Sequence, residues 1–88
     1  MIDVLIYSRP DCHLCDDMKA VVTRVSRTVA LSLTIVDIST DAELEERYGL
    51  EIPVLVVNGM KAAKYRVTEP ELRKILAARR SQGDTKRV

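Results

Sequence analysis

Two cysteines three residues apart, Cys12 and Cys15, stand where a short apolar run gives way to an amphipathic stretch, and no other feature restricts the fold so tightly. Ile2 to Tyr7 carries β-branched and aromatic side chains and ends in Ser8-Arg9-Pro10-Asp11, which reads as a largely buried strand followed by a turn. From Leu14 the apolar residues Leu14, Met18, Val21, Val22, Val25 and Val29 fall on one helical face, while Asp16, Asp17, Lys19, Arg24 and Arg27 lie mostly off it. The cysteines therefore open a helix at a strand-to-helix junction.

The order of the remaining elements follows from local chemistry. Leu31, Leu33 and Ile35 alternate with Ser32 and Thr34 before Val36-Asp37, which predicts a second strand. Thr40 with Glu43 has capping-box spacing and Gly49 supplies a stop after Tyr48, bracketing one short helix. Val54 to Val57 is β-branched and leads into Asn58-Gly59, the strongest short hairpin signal, so a segment from about Lys61 to Arg66 should return antiparallel. Thr68 with Glu71 forms a second capping box, Pro70 is tolerated in a first turn, and Leu72, Ile75 and Leu76 give a last helix its apolar stripe. The expected fold class is α/β, in the order β-α-β-α-β-β-α. A right-handed crossover makes the first two strands parallel, and the hairpin completes a four-stranded mixed sheet flanked by three helices. The 88 residues suffice for one domain, expected over 1–80, with a polar tail over 81–88.

Charge and targeting narrow the function classes. The net charge is +1, although nine Lys/Arg against three Asp/Glu from Lys61 onward oppose five against ten before it. Such a balance gives no reason to expect nucleic acid or a membrane surface as partner, and Arg73, Lys74, Arg79 and Arg80 read as a solvated helix face where cations suit the dipole. Met1-Ile2-Asp3-Val4-Leu5-Ile6 lacks a basic lead-in and carries Asp3, so no signal peptide is read there, and no run reaches membrane-spanning length. The expected compartment is the cytoplasm and the expected state a monomer. In that compartment a close cysteine pair points to redox chemistry or a metal rather than a structural staple. No metal is expected, because Cys12, His13 and Cys15 supply at most three ligands and adjacent residues rarely hold one ion together.

A separation of three at a helix start brings both sulfurs to one side of the first turn, near enough for a disulfide. A thiolate there faces unpaired backbone N–H groups and the positive end of the dipole, which lowers a thiol pKa from ~8.5 into the range ~3.5 to 7.5. Cys12 is thus the expected nucleophile. Cys15, one turn in and more buried, is the expected resolving thiol. Asp16 and Asp17 oppose the thiolate by like-charge repulsion and Arg9 could offset them, while His13 is either a thiolate partner or an exposed loop residue.

With Tyr7-Ser8-Arg9-Pro10-Asp11-Cys12-His13-Leu14-Cys15, then Ile52-Pro53-Val54-Leu55 and Asn58-Gly59 assembled, the chain resembles the glutaredoxin and thioredoxin family, most closely small bacterial glutaredoxin-like proteins, over residues 2 to about 80. The resemblance implies a thioredoxin-like fold, a cis peptide bond before Pro53 set against the active-site disulfide, and an Ile52 backbone that pairs with the substrate chain. Several stretches depart from the family's patterns. His13-Leu14 replaces the residues usual between the cysteines, and Glu51-Ile52 replaces a Thr-Val pair. Arg66-Val67-Thr68 stands where glutaredoxins carry the Gly-Gly pair that binds glutathione. Arg9 and Arg66 are candidate contacts for a glutathione or peptide carboxylate, weighed against plain surface roles.

The function read from these residues is thiol-disulfide oxidoreduction, an enzyme activity. Cys12 and Cys15 are catalytic, and Arg9, Ile52 and Pro53 bind a disulfide-containing protein or glutathione-mixed disulfide. No bound cofactor is expected, and glutathione is a candidate reductant or co-substrate. The alternative is a thioredoxin-like binding module whose cysteine pair is a redox switch or a vestige. A third class, iron-sulfur carriage, would need a dimer with shared cysteines and external thiols.

Overall fold

The first apolar run becomes the centre of the sheet. In the computed structural model, which describes the backbone of residues 1–87 and the side chains of residues 1–79, strand β1 spans Ile2–Ser8. It is flanked on one side by β2, Leu31–Asp37, and on the other by β3, Val54–Val57, beyond which lies β4, Met60–Lys64. β1 and β2 run parallel with Ile2 opposite Leu31, and β1 and β3 run antiparallel with Val4 opposite Val57 and Tyr7 opposite Val54. The three helices are α1, His13–Val25, α2, Ala42–Tyr48, and α3, Glu69–Arg87. The four-stranded mixed sheet and the order of elements are those expected.

Strand alternation and helical spacing meet in one core. Ile2, Val4 and Ile6 of β1 turn the same way and pack with Met18, Val22 and Val25 of α1 and with Leu72 and Leu76 of α3. The other face of β1 presents Tyr7, whose ring stacks on Tyr48 of α2 with centroids 4.4 Å apart. Three points anchor the hairpin. Asn58 and Gly59 both take positive φ, 49° and 82°, as a tight turn of this kind needs, the Asn58 N–H donates to the Asp3 carbonyl, and the Asn58 side chain accepts from the Asp3 N–H.

Several boundaries move from their sequence positions. α1 ends at Val25 because Ser26 caps it and turns its hydroxyl onto the Thr23 carbonyl, and Val29 reaches the core from the following turn instead of from the helix. The cap of α2 is Asp41 and not Thr40. The Asp41 carboxylate accepts the N–H groups of Glu43 and Leu44 at 3.0 and 3.2 Å, while Thr40 belongs to a 3-10 turn, Ile38–Thr40, and donates to the Asp37 carbonyl. An ionised acceptor outcompetes the hydroxyl next to it. β4 stops at Lys64 because Tyr65 takes a left-handed φ of 70° and sends its N–H to the Pro53 carbonyl. α3 continues to Arg87 through the segment expected as a polar tail, of which Val88 and all side chains from Arg80 on lie outside the described residues. Among the described residues no helix is long and apolar enough to cross a membrane.

The second capping box forms as expected. Thr68 Oγ1 accepts from the Glu71 N–H at 3.2 Å, and the Glu71 carboxylate accepts from the Thr68 N–H at 3.0 Å and its hydroxyl at 2.8 Å. These bonds, the backbone one foremost, hold the Glu71 carboxyl below its ordinary 4.5. A folded value below the unfolded one means that the linked stability is complete above about pH 4.5 and is lost as pH falls through the folded value. Thr68→Ala should cost about 1 kcal/mol at neutral pH. It should also make acid destabilisation shallower, which thermal unfolding followed at neutral pH and again across the acid range measures directly.

Candidate functional site

The turn from β1 into α1 delivers the cysteine pair. Asp11 adopts φ 61°, a left-handed value that an Asx residue tolerates, and this reverses the chain so that Cys12 lands in extended conformation as the N-cap of α1. The Cys12 carbonyl accepts from the Asp16 N–H at 3.1 Å, and Cys12 Sγ accepts from the Cys15 N–H at 3.2 Å. The two cysteines form a disulfide with their Cα atoms 5.2 Å apart. Cys12 is partly exposed and Cys15 only 1 % exposed, so the first cysteine lies at the surface and the second is closed off. On reduction, the N–H now directed at Cys12 Sγ is a donor in place for a thiolate.

Pro53 approaches from the other side of the sheet end. The Ile52–Pro53 bond is cis and Pro53 is buried. The register that sets Val54 against Tyr7 brings Pro53 level with Ser8, at the end of β1 from which the cysteine turn departs. Ile52 is half-buried, and its N–H already donates to the Tyr48 carbonyl at 3.1 Å, alongside the Glu51 N–H at 2.8 Å. A substrate strand docked on Ile52 would therefore meet its carbonyl rather than both backbone groups.

Arg9 lies at the same end, yet its guanidinium is taken up by Glu45 of α2 in a side-chain ion pair. Asp16 pairs with Lys19 at 3.6 Å. The suggestion that Arg9 offsets Asp16 and Asp17 thus meets a guanidinium engaged elsewhere. His13 is exposed on the first turn of α1.

A cleft of about 200 Å³ opens between α1 and the connection from β4 to α3. Leu14, Asp17 and Met18 line one wall, and Tyr65, Arg66, Val67 and Thr68 the other. Arg66 thus does lie beside the cysteine helix. Around the cleft the α3 N-terminus is closed by its own capping box, and Glu69 reaches both Arg24 and Arg73 at 3.7 Å.

Two side-chain bonds here join residues that no sequence pattern pairs. Glu51, next to Ile52, is ion-paired with Lys61 of β4, and that bond is the main reason its carboxyl titrates below the ordinary 4.5. Tyr65 donates its hydroxyl to the Leu50 carbonyl at 3.2 Å. Neither bond has a sequence signal, because its partners are brought together only by the hairpin.

Comparison with known proteins agrees with this geometry. A family model, the glutaredoxin-like domain (DUF836), matches residues 3–77. The X-ray structure of target protein XcR50 from X. campestris is 36 % identical, with a TM-score of 0.72 over 85 % of this chain and 96 % of that one. Protein Ne2328 from Nitrosomonas europaea, at 21 % identity, gives a TM-score of 0.73 over 84 % and 89 %. A thioredoxin mutant from Halobacterium salinarum, at 17 % identity, gives 0.66 over 88 % and 73 %, and these last two likenesses show the fold alone. No protein of curated function matches the chain.

Proposed function

The chain belongs to the glutaredoxin-like domain family (DUF836), and from that membership together with the geometry of its cysteine pair we propose that it is a dithiol-disulfide oxidoreductase acting on polypeptide disulfides. The observation that carries this reading is the asymmetry of the pair, with Cys12 partly exposed as the N-cap and Cys15 buried one turn in.

The cycle follows from that asymmetry. The Cys12 thiolate attacks one sulfur of the substrate disulfide, a mixed disulfide forms, and the displaced substrate thiolate takes up a proton. The Cys15 thiolate then attacks Cys12 Sγ and displaces the second substrate thiolate, which is protonated in turn. Two electrons pass to the substrate and the Cys12–Cys15 disulfide remains. Glutathione or another external thiol restores the dithiol, and the cytoplasm, where thiols are kept reduced, is the compartment in which this direction runs.

The surroundings favour a polypeptide over glutathione as the disulfide partner. Glutathione would need donors for its carboxylates; the Arg9 guanidinium is held by Glu45 and the Thr68 N–H and hydroxyl by Glu71, which leaves Arg66 on the cleft wall as the candidate contact. Asp17 adds a like charge on the cleft wall. The binding-module alternative would rest on strand addition at Ile52, whose N–H is already committed to Tyr48. The test sets an insulin-reduction assay beside a glutathione-coupled mixed-disulfide assay. The polypeptide substrate should lead by roughly tenfold in kcat/KM, the equivalent of one forfeited charged hydrogen bond. Absence of turnover in both assays would sink the reading.

A further inference from the structure

We propose that Tyr65 is a positioning residue that holds the loop Leu50 to Pro53 against the mouth of the cysteine pair and so fixes how a disulfide substrate is presented to Cys12. This inference rests on the oxidoreductase reading for its kinetic consequences, but not for its structural ones.

The loop between α2 and β3 carries Ile52 and Pro53, and nearly everything that fixes it comes from two directions. From the α2 side, the Tyr48 carbonyl accepts the N–H groups of Glu51 and Ile52. From the β4 side, Lys61 pairs with Glu51, and Tyr65 supplies two bonds of its own. The Tyr65 N–H donates to the Pro53 carbonyl at 2.9 Å, and its hydroxyl donates to the Leu50 carbonyl at 3.2 Å. One residue thus brackets both ends of a four-residue loop.

The backbone at Tyr65 argues that the bracket matters. Its φ of 70° lies in the left-handed region, which glycine occupies freely and a bulky aromatic side chain seldom does. That strain is offset by what the ring and hydroxyl accomplish there. The residue is 44 % exposed, so core burial is not its chief contribution. Tyr65 instead lines the cleft together with Leu14, which stands between the two cysteines, and Met18 one turn further along α1. Tyr65 therefore joins the proline loop to the cleft beside the redox pair, a span that no bond within the loop itself provides.

Substrate placement and thiol chemistry are separable here. The Cys12 N-cap depends on the Cys15 N–H and not on Tyr65. Disturbing Tyr65 should loosen the loop and weaken productive docking while leaving the thiol itself as reactive as before.

The experiment compares Tyr65→Phe, which keeps the ring and removes the hydroxyl bond, with Tyr65→Gly, which keeps the N–H bond and relieves the left-handed backbone. Three quantities are read on the full chain: kcat and KM with a disulfide-bonded peptide, alkylation of reduced Cys12 by iodoacetamide, and amide hydrogen exchange at Ile52. The expected result for Tyr65→Gly is a KM raised roughly tenfold, with kcat and alkylation within about twofold and Ile52 exchange accelerated about tenfold. Tyr65→Phe should fall between, at roughly threefold. Wild-type KM and Ile52 exchange in Tyr65→Gly would overturn the proposal. So would a uniform rise in exchange across the core with kcat falling alongside, which would mark a general loss of stability. Should the wild-type chain reduce no disulfide at all, the oxidoreductase reading falls, and unchanged or accelerated exchange at Ile52 still decides against or for the positioning role.

Discussion

Cys12→Ser is expected to lower disulfide-reduction kcat/KM on the order of a thousandfold or more, to the background of the assay, while leaving the fold in place. The two halves of this expectation have different physical grounds. Activity is lost because a serine hydroxyl has no populated anion near neutral pH and cannot form a mixed disulfide. The fold is kept because Cys12 is the N-cap of α1, with Sγ accepting the Cys15 N–H, and serine is among the best residues for that position. A melting curve equal to the wild type's under reducing conditions, together with lost turnover, separates chemistry from stability. Retained turnover would remove Cys12 from the nucleophile's role.

Leu72→Ala is expected to destabilise the chain by about 3 kcal/mol and to lower Tm by roughly 12 to 24 °C. Leu72 is fully buried in the core shared with β1 and α1, which the first turns of α3 reach through it and Leu76. Truncation removes three carbon atoms and leaves a void that a close-packed interior relaxes into only in part. The contrast is Leu50, 94 % exposed, where alanine should change stability by less than about 0.5 kcal/mol. Thermal unfolding by circular dichroism of both variants checks the pair. Equal small shifts would mean that α3 does not close the core as described.

Wherever structure is set by neighbours in sequence, the chain could be read directly. Ile2, Val4 and Ile6 alternate and do face one core, and Asn58-Gly59 does make the tight turn. Thr68 and Glu71 do exchange both bonds of a capping box, and Cys12 does open α1. The cis bond before Pro53, implied by family resemblance, is present.

Competition between adjacent groups was less legible. Thr40 and Asp41 are both competent caps, and only the stronger acceptor takes the place. The end of β4 at Lys64 depends on a hydrogen bond from Tyr65 to Pro53, residues joined by topology and not by spacing. For the same reason Arg9 could be marked as a nearby cation without any sign that Glu45, on a different helix, would claim it. Nor does the resemblance that marks the Ile52 backbone show that its N–H donates to the Tyr48 carbonyl at the end of α2. What local pattern conveys is where the cysteine pair sits. What it omits is which groups around the pair remain free to select a partner.

The polarity of the pair, with Cys12 attacking and Cys15 resolving, can be trapped covalently. Cys15→Ala, which puts no hydroxyl into the buried position, is incubated with an excess of a disulfide-bonded polypeptide, and the covalent product is mapped by mass spectrometry under non-reducing conditions. If Cys12 attacks and Cys15 resolves, a stable mixed disulfide forms on Cys12, and no such adduct forms when Cys12→Ser is treated in the same way. Adduct on Cys15 in Cys12→Ser at a comparable yield, or no adduct on Cys12 in Cys15→Ala, would contradict that polarity.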